Sequence, residues 1–190
     1  MSRLVVIDGL DASGKSTQAE MLAEHLRLHG KTYVLRTHPS DDNFFGVKGR
    51  DFLFVEGKAA HVAASLLYLA DVIRSITLYH WRRVDYVIFV RYLMGTAYLP
   101  APAHKFAYKF FSKIVPTKGD LIYLRVSPDE AFRRVANNRV KMERFETIDE
   151  LNKTSDKAMD LASDGRWIIV NGNRSIPEIH EDILRVVGVK

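Results

Sequence analysis

Gly9-Leu10-Asp11-Ala12-Ser13-Gly14-Lys15-Ser16 fits the pattern GxxxxGK[ST] at every fixed position. The run before it, Leu4-Val5-Val6-Ile7-Asp8, is apolar and rich in β-branched residues, so it reads as a buried strand. The run after it, Thr17 to His29, places Met21, Leu22, Leu26 and Leu28 on one broad side and stops at Gly30, so it reads as a helix. A glycine-rich turn between a strand and a helix directs backbone N–H groups at a polyphosphate, and the helix N-terminus adds partial positive charge. Lys15 is placed to reach the β- and γ-phosphates, and the Ser16 hydroxyl to ligate Mg²⁺. Gly9, Leu10, Asp11, Ala12, Ser13, Gly14, Lys15, Ser16 and Thr17 are therefore the expected nucleotide cradle.

Working outward, four more strand-like runs alternate with helical patterns: Thr32–Arg36, Asp85–Val90, Asp120–Val126 and Arg166–Val170. That alternation predicts a three-layer α/β fold with one five-stranded parallel sheet. His61 to His80 reads as a long apolar helix. Ser127-Pro128-Asp129-Glu130, Thr147-Ile148-Asp149-Glu150 and Ser175-Ile176-Pro177-Glu178 carry the pattern of helix-opening capping boxes. Thr37–Lys58 and Arg133–Arg144 read as irregular, the second within a short helical lid over about 133–146. No repeat or linker divides the chain, so one domain over 1–190 is expected.

The 190 residues are 47% hydrophobic and 27% charged, which excludes a disordered chain, and they contain no cysteine, which excludes disulfides, thiol nucleophiles and thiolate metal sites. The apolar stretch Val62 to Ala70 ends at Asp71, short of the ~20 residues of a spanning helix. No signal-peptide core opens the chain, so a cytoplasmic protein without membrane association is expected. Lys and Arg number 28 against 23 Asp and Glu. The excess lies in Tyr86–Gly119, which holds Arg91, Lys105, Lys109, Lys113 and Lys118 and no acid. A nucleotide is a sufficient anion partner for it, so nucleic acid is not required.

Val6 to Gln18 and the later Arg36-Thr37-His38-Pro39-Ser40 together resemble the thymidylate kinase family, the first its opening and the second its Arg-x-Pro loop. Leu66-Leu67-Tyr68-Leu69-Ala70-Asp71 resembles its Leu-Leu-Phe-x-Ala helix, Val87 to Tyr92 its strand ending in Asp-Arg-Tyr, and Lys118 to Leu124 its Pro-Asp-Leu-x-x-Tyr-Leu. The resemblance implies ATP and Mg²⁺ as cofactors, dTMP as phosphoryl acceptor, and a homodimer, for which the apolar helix could serve. It implies catalytic roles for Lys15 and Arg91, and for Arg139 and Arg144 of the lid with Lys141 next, because Ala12 replaces the arginine that some members carry in the loop. It implies substrate contacts from Asp11, His38, Pro39, Tyr68, Arg74, Arg91 and Tyr98, and an adenine-side contact from Asn173 in the turn Asn171-Gly172-Asn173.

Three positions depart from the family pattern. Val90 replaces the acid before the strand-end arginine, Val72 replaces a base-contacting arginine (with Arg74 two residues on), and Arg125 replaces an aspartate. Each removes negative charge or a base contact, and Asp8 and Asp11 remain as the nearest acids to orient metal-bound water. Installing Val90→Asp is expected to strengthen Mg²⁺ binding and turnover. The alternatives are a kinase of another pyrimidine nucleotide and a nucleotide-binding homologue with weak catalysis.

Overall fold

The computed structural model describes residues 2–52, 55, 58–138 and 147–189. Among the described residues, five parallel strands form one sheet: β1 (Arg3–Gly9), β2 (Tyr33–Thr37), β3 (Tyr86–Val90), β4 (Asp120–Arg125) and β5 (Ile168–Asn171), in the order β2-β3-β1-β4-β5. Within the same residues seven α-helices accompany them: α1 (Lys15–Leu28), α2 (Phe44–Phe52), α3 (Lys58–Tyr79), α4 (Ala103–Ile114), α5 (Pro128–Asn138), α6 (Ile148–Ala162) and α7 (Ile176–Val187). A 3₁₀ turn spans Met94–Tyr98. The fold is the expected one.

Burial follows position in the sheet. In β1 every residue after Arg3 is buried, and in β3 and β4 the apolar runs are buried. The edge strands β2 and β5 are only half-covered or largely exposed, because each has one pairing neighbour instead of two. On one face of the sheet, Val5, Ile7, Ile88, Val90, Ile122 and Leu124 pack under α1 and α7. On the other, Val6, Phe89, Leu121 and Tyr123 pack under α3, α4 and α6. Leu28, expected on the buried side of the first helix, is 68% exposed, and Ala19 and Ala23 take that face instead.

Thr37–Lys58, read as irregular, contains α2. Its Phe44, Phe45 and Val47 point largely to solvent, so the stretch lacked the one-sided apolar pattern that marks a helix. The segment before α2 is anchored through α3: the buried Asp71 carboxylate accepts hydrogen bonds from Ser40 N–H (2.6 Å), Ser40 Oγ (2.7 Å) and Asn43 Nδ2 (2.7 Å). Among the described residues one window, Val62–Tyr79 in α3, is long and apolar enough to cross a membrane by composition. Asp71 lies inside that window with its carboxylate fully used in the fold.

Of the three capping boxes, that of α7 forms, with the Glu178 carboxylate accepting from Ser175 N–H at 3.0 Å. That of α6 is half formed, Thr147 Oγ1 accepting from Glu150 N–H. That of α5 is replaced. Glu130 turns instead to Arg133 and Arg134, and Ser127 N–H donates to Asn173 Oδ1 at 3.1 Å.

The basic stretch also divides. Arg91 alone sits at the C-terminal edge of the sheet, whereas Lys105, Lys109 and Lys113 lie on the exposed side of α4, with Lys105 paired to Asp160 at 2.8 Å.

A candidate nucleotide site at the C-terminal edge of the sheet

The loop after β1 is built by conformations that few residues tolerate. Gly9 has φ +154°, and a Cβ there would stand 2.6 Å from the Leu124 carbonyl oxygen of β4. Ala12 (φ 57°) and Gly14 (φ 92°) complete the turn into α1. The Lys15 ammonium folds over this turn, donating to the Gly9 carbonyl at 3.0 Å and to the Leu10 carbonyl. Ser16 and Thr17 are exposed on the first turn of the helix.

The adjacent strand β3 delivers Arg91, which is the second non-glycine residue at positive φ (60°) among the described residues. Such strain persists only where neighbours enforce it, and it gathers at functional sites. The Arg91 guanidinium donates to Asp11 Oδ1 at 2.6 Å, Tyr98 Oη donates to Asp11 Oδ2 at 2.8 Å, and Lys15 Nζ lies 4.0 Å from Asp11. Although burial alone would push it up, Asp11 is held below the usual carboxylate range by Arg91 and Lys15. Asp8 is engaged differently. Its buried carboxylate accepts from Gly9 N–H (3.0 Å), Tyr92 N–H (2.8 Å) and Met94 N–H (3.0 Å), and burial raises its pKa. Both acids expected to orient metal-bound water are thus engaged in shaping the loop and the exit of β3.

Next to the loop lies a cavity of about 510 Å³ whose lining, among the described residues, contains four cations, Lys15, Arg91, Arg134 and Arg174, and no acid. Val135, Ile176 and Ile179 close it with apolar surface. A polyphosphate suits the cationic part, and an aromatic base suits the apolar part. The signals for Arg134 and Arg174 were partial: Arg134 belongs to the basic lid cluster, and Arg174 directly follows the Asn171–Asn173 turn. Arg134 is fixed by Glu130 (2.7 Å) and reaches the carbonyls of Ala12 (3.4 Å) and Gly172 (3.0 Å), joining loop, α5 and the β5–α7 turn. Asn173 does not line the cavity, since its Oδ1 caps Ser127. Arg139, Lys141 and Arg144 lie outside the described residues.

Close to Arg91, Tyr68 donates through Oη to the Tyr92 carbonyl at 2.8 Å. A Cβ on Gly95 would fall 2.6 Å from the Tyr68 ring, so a glycine is needed there for the ring to lie against the 3₁₀ turn. His38 is fully buried, 5.5 Å from the Phe89 ring and 6.5 Å from Tyr68. The Pro39 carbonyl accepts from Arg50 at 2.9 Å. Arg74 is drawn away to Asp42 (3.6 Å), which also binds Arg36 at 2.7 Å. Val72 is core.

Comparison with known proteins fits this geometry. A family model described as thymidylate kinase matches residues 7–183. The chain belongs to the thymidylate kinase family. The probable thymidylate kinase of Thermococcus gammatolerans is 30% identical over 201 residues, covering 98% of this chain and 96% of the relative. The thymidylate kinase of Sulfurihydrogenibium sp. is 27% identical over 197 residues, covering 97% and 96%. The thymidylate kinase structure from Candida albicans superposes with a TM-score of 0.73 at 21% identity, covering 98% of this chain and 91% of that one, which supports the fold. The chain is accordingly an ATP-dependent kinase of nucleoside monophosphates.

Val90 is fully buried among apolar neighbours on the α1 side of the sheet. Burying a carboxylate there without a partner costs several kcal/mol. In thermal melts, Val90→Asp is therefore expected to lower Tm in metal-free buffer and to recover part of the loss with Mg-ADP. A Tm equal to wild type without metal would show that the pocket is not dry.

Three histidines predict acid sensitivity. Burial lowers the pKa of His38. It also lowers that of His104, helped by Lys157 and Lys105, and that of His180, helped by His25. A depressed folded-state pKa means that the unfolded chain takes up protons first, so this stability is present above the ordinary value of about 6.5 and is lost as pH falls through it. Tm is expected to fall between pH 7.5 and 5.5, less steeply in His180→Gln. A flat profile in wild type would contradict this.

Proposed function

We propose that this chain transfers the γ-phosphoryl group of ATP to dTMP, giving dTDP. The observation that carries the reading is the placement of Arg91. It lines the cation-rich cavity beside the phosphate loop and at the same time is bonded to Asp11, which also accepts from Tyr98. A guanidinium that lines the phosphate cavity and is held by Asp11 suits in-line transfer, where positioning and charge neutralisation supply most of the catalysis. Lys15 would neutralise the β- and γ-phosphates, and Arg91 the transferring group. Arg134 and Arg174 would hold the nucleotide from the far side, with Ile176, Ile179 and Val135 against the base. Asp11 retains lone pairs to accept from the sugar hydroxyl, and Tyr68 offers a ring to the acceptor base.

Magnesium fits the site through one residue. Ser16 lines the cavity and is exposed on the first helical turn, whereas Asp8 and Asp11 are occupied and Val90 is apolar. Mg²⁺ held by substrate phosphates needs only one or two protein oxygens, and when bound it supplies charge neutralisation across those phosphates.

The reading extends to one cytoplasmic kinase domain with 133–146 as its lid. It also takes in a homodimer through α3, supported by the exposed Val62, Leu66 and Ile73 along that helix. ADP release with Mg-ATP and a panel of dTMP, dUMP, UMP, dCMP, CMP and AMP tests the substrate. Strong preference for dTMP is expected. Preference for another pyrimidine would move the assignment, and ATP binding without transfer would make the chain a binder.

A further inference from the structure

The Arg91 backbone carries strain that something must hold, and the contacts of its own peptide groups are specific. Its N–H donates to the Ile7 carbonyl of β1 at 3.2 Å. Its carbonyl is met by the His38 ring, with Nδ1 at 2.9 Å, and one residue earlier the Val90 carbonyl accepts from the His38 backbone N–H at 3.0 Å. His38 therefore grips two consecutive peptides of the β3 exit, one with its backbone and one with its side chain. After Arg91, Asp8 takes over through the N–H groups of Tyr92 and Met94, and Tyr68 through the Tyr92 carbonyl.

A carbonyl only accepts, so Nδ1 must carry the proton. Nε2 is the buried ring atom without a hydrogen-bond partner among the described residues. In the neutral ring it is an acceptor, and burial beside Phe89 keeps the ring neutral. The ring has no exposed surface, and its contacts are to the Arg91 carbonyl and the Phe89 ring.

We propose that His38 is a positioning residue: its Nδ1–H clamps the Arg91 carbonyl and holds that residue at φ 60°, which aims the guanidinium between Asp11 and the phosphate cavity. This rests on the reading of Arg91 as the phosphate-facing arginine. Without the clamp, Arg91 gains access to ordinary backbone conformations whose side chain leaves from the other side of the strand end. The lesion then falls on transfer, not on ATP capture by the loop.

The test uses isosteres. Asn places an amide N–H where His has Nδ1, Gln places one where His has Nε2, and Leu has neither. With dTMP, or the preferred monophosphate if it is another, His38→Leu is expected to lose at least about tenfold in kcat with KM for ATP within about twofold. His38→Asn should return to within about threefold of wild type, and His38→Gln should behave like Leu. In an Arg91→Ala background, His38→Leu should cost little more, since the group it positions is gone. If the Leu variant does not fold, the Asn and Gln pair carries the comparison. A folded Leu variant with wild-type kcat, rescue by Gln equal to that by Asn, or additive losses with Arg91→Ala would each overturn the proposal while leaving the kinase reading intact. A wild type that transfers to no monophosphate would overturn both.

Discussion

Lys15→Met is expected to lower kcat about a thousandfold while leaving a folded protein. The Lys15 side chain is 3% exposed and held over the loop by the carbonyls of Gly9 and Leu10. Its charge is therefore prepositioned where a polyphosphate must lie, in a cavity lined among the described residues by cations and no acid. A fixed charge in a site that excludes water is worth far more than in solvent, and removing one such donor costs about 2.7–4 kcal/mol of transition-state stabilisation. Met keeps the stem volume, so the loop retains its packing. Asp11 keeps Arg91 and Tyr98 as partners, so no buried charge is stranded. Turnover by coupled ADP release, with Tm as control, checks this. A kcat within tenfold of wild type would remove Lys15 from the transferring phosphates.

The parts legible in the sequence were those with short-range causes. The phosphate loop, the strand before it and the helix after it follow from local patterning, because the turn needs glycines at Gly9 and Gly14 and the flanking runs need apolar residues to bury. The resemblance assigned Asp11 and Arg91 separate substrate contacts but not their ion pair, since these residues lie 80 positions apart and meet because β3 is the neighbour of β1 in the sheet. The sequence did not disclose that Asp8 spends its carboxylate on three backbone N–H groups, that Asp71 anchors the Ser40–Asn43 segment, or that Arg174 turns into the cavity. Each depends on where another element's backbone passes. Helix α2 was hidden for another reason: its Phe44, Phe45 and Val47 are exposed and only Phe52 is half-buried, so burial left little periodic trace.

Replacing Arg91 separates strain from chemistry. At φ 60° any residue with a Cβ is strained, and glycine is not. Arg91→Ala and Arg91→Gly remove the same guanidinium and the same bond to Asp11. Both are therefore expected to lose about a thousandfold in kcat, the scale of an arginine acting on a transferring phosphoryl group. They should differ in stability. The glycine variant avoids a backbone penalty of about 1 kcal/mol. For a chain of this size that corresponds to a Tm about 2–4 °C above that of the alanine variant. Arg91→Lys keeps the charge but loses the planar fork that spans Asp11 and a phosphate oxygen together, so it should recover only a small part of the rate. Without Arg91, Asp11 loses its main charge partner, and its pKa should rise toward the ordinary range. A carboxylate pKa raised in the folded state contributes less stability above its unfolded value, so the variants should resist mild acid relatively better than wild type resists it. Equal Tm values for Gly and Ala would mean that the backbone relaxes once the guanidinium is gone. The ion pair with Asp11, and not the grip of the neighbouring strands, would then be what holds Arg91 in its strained conformation.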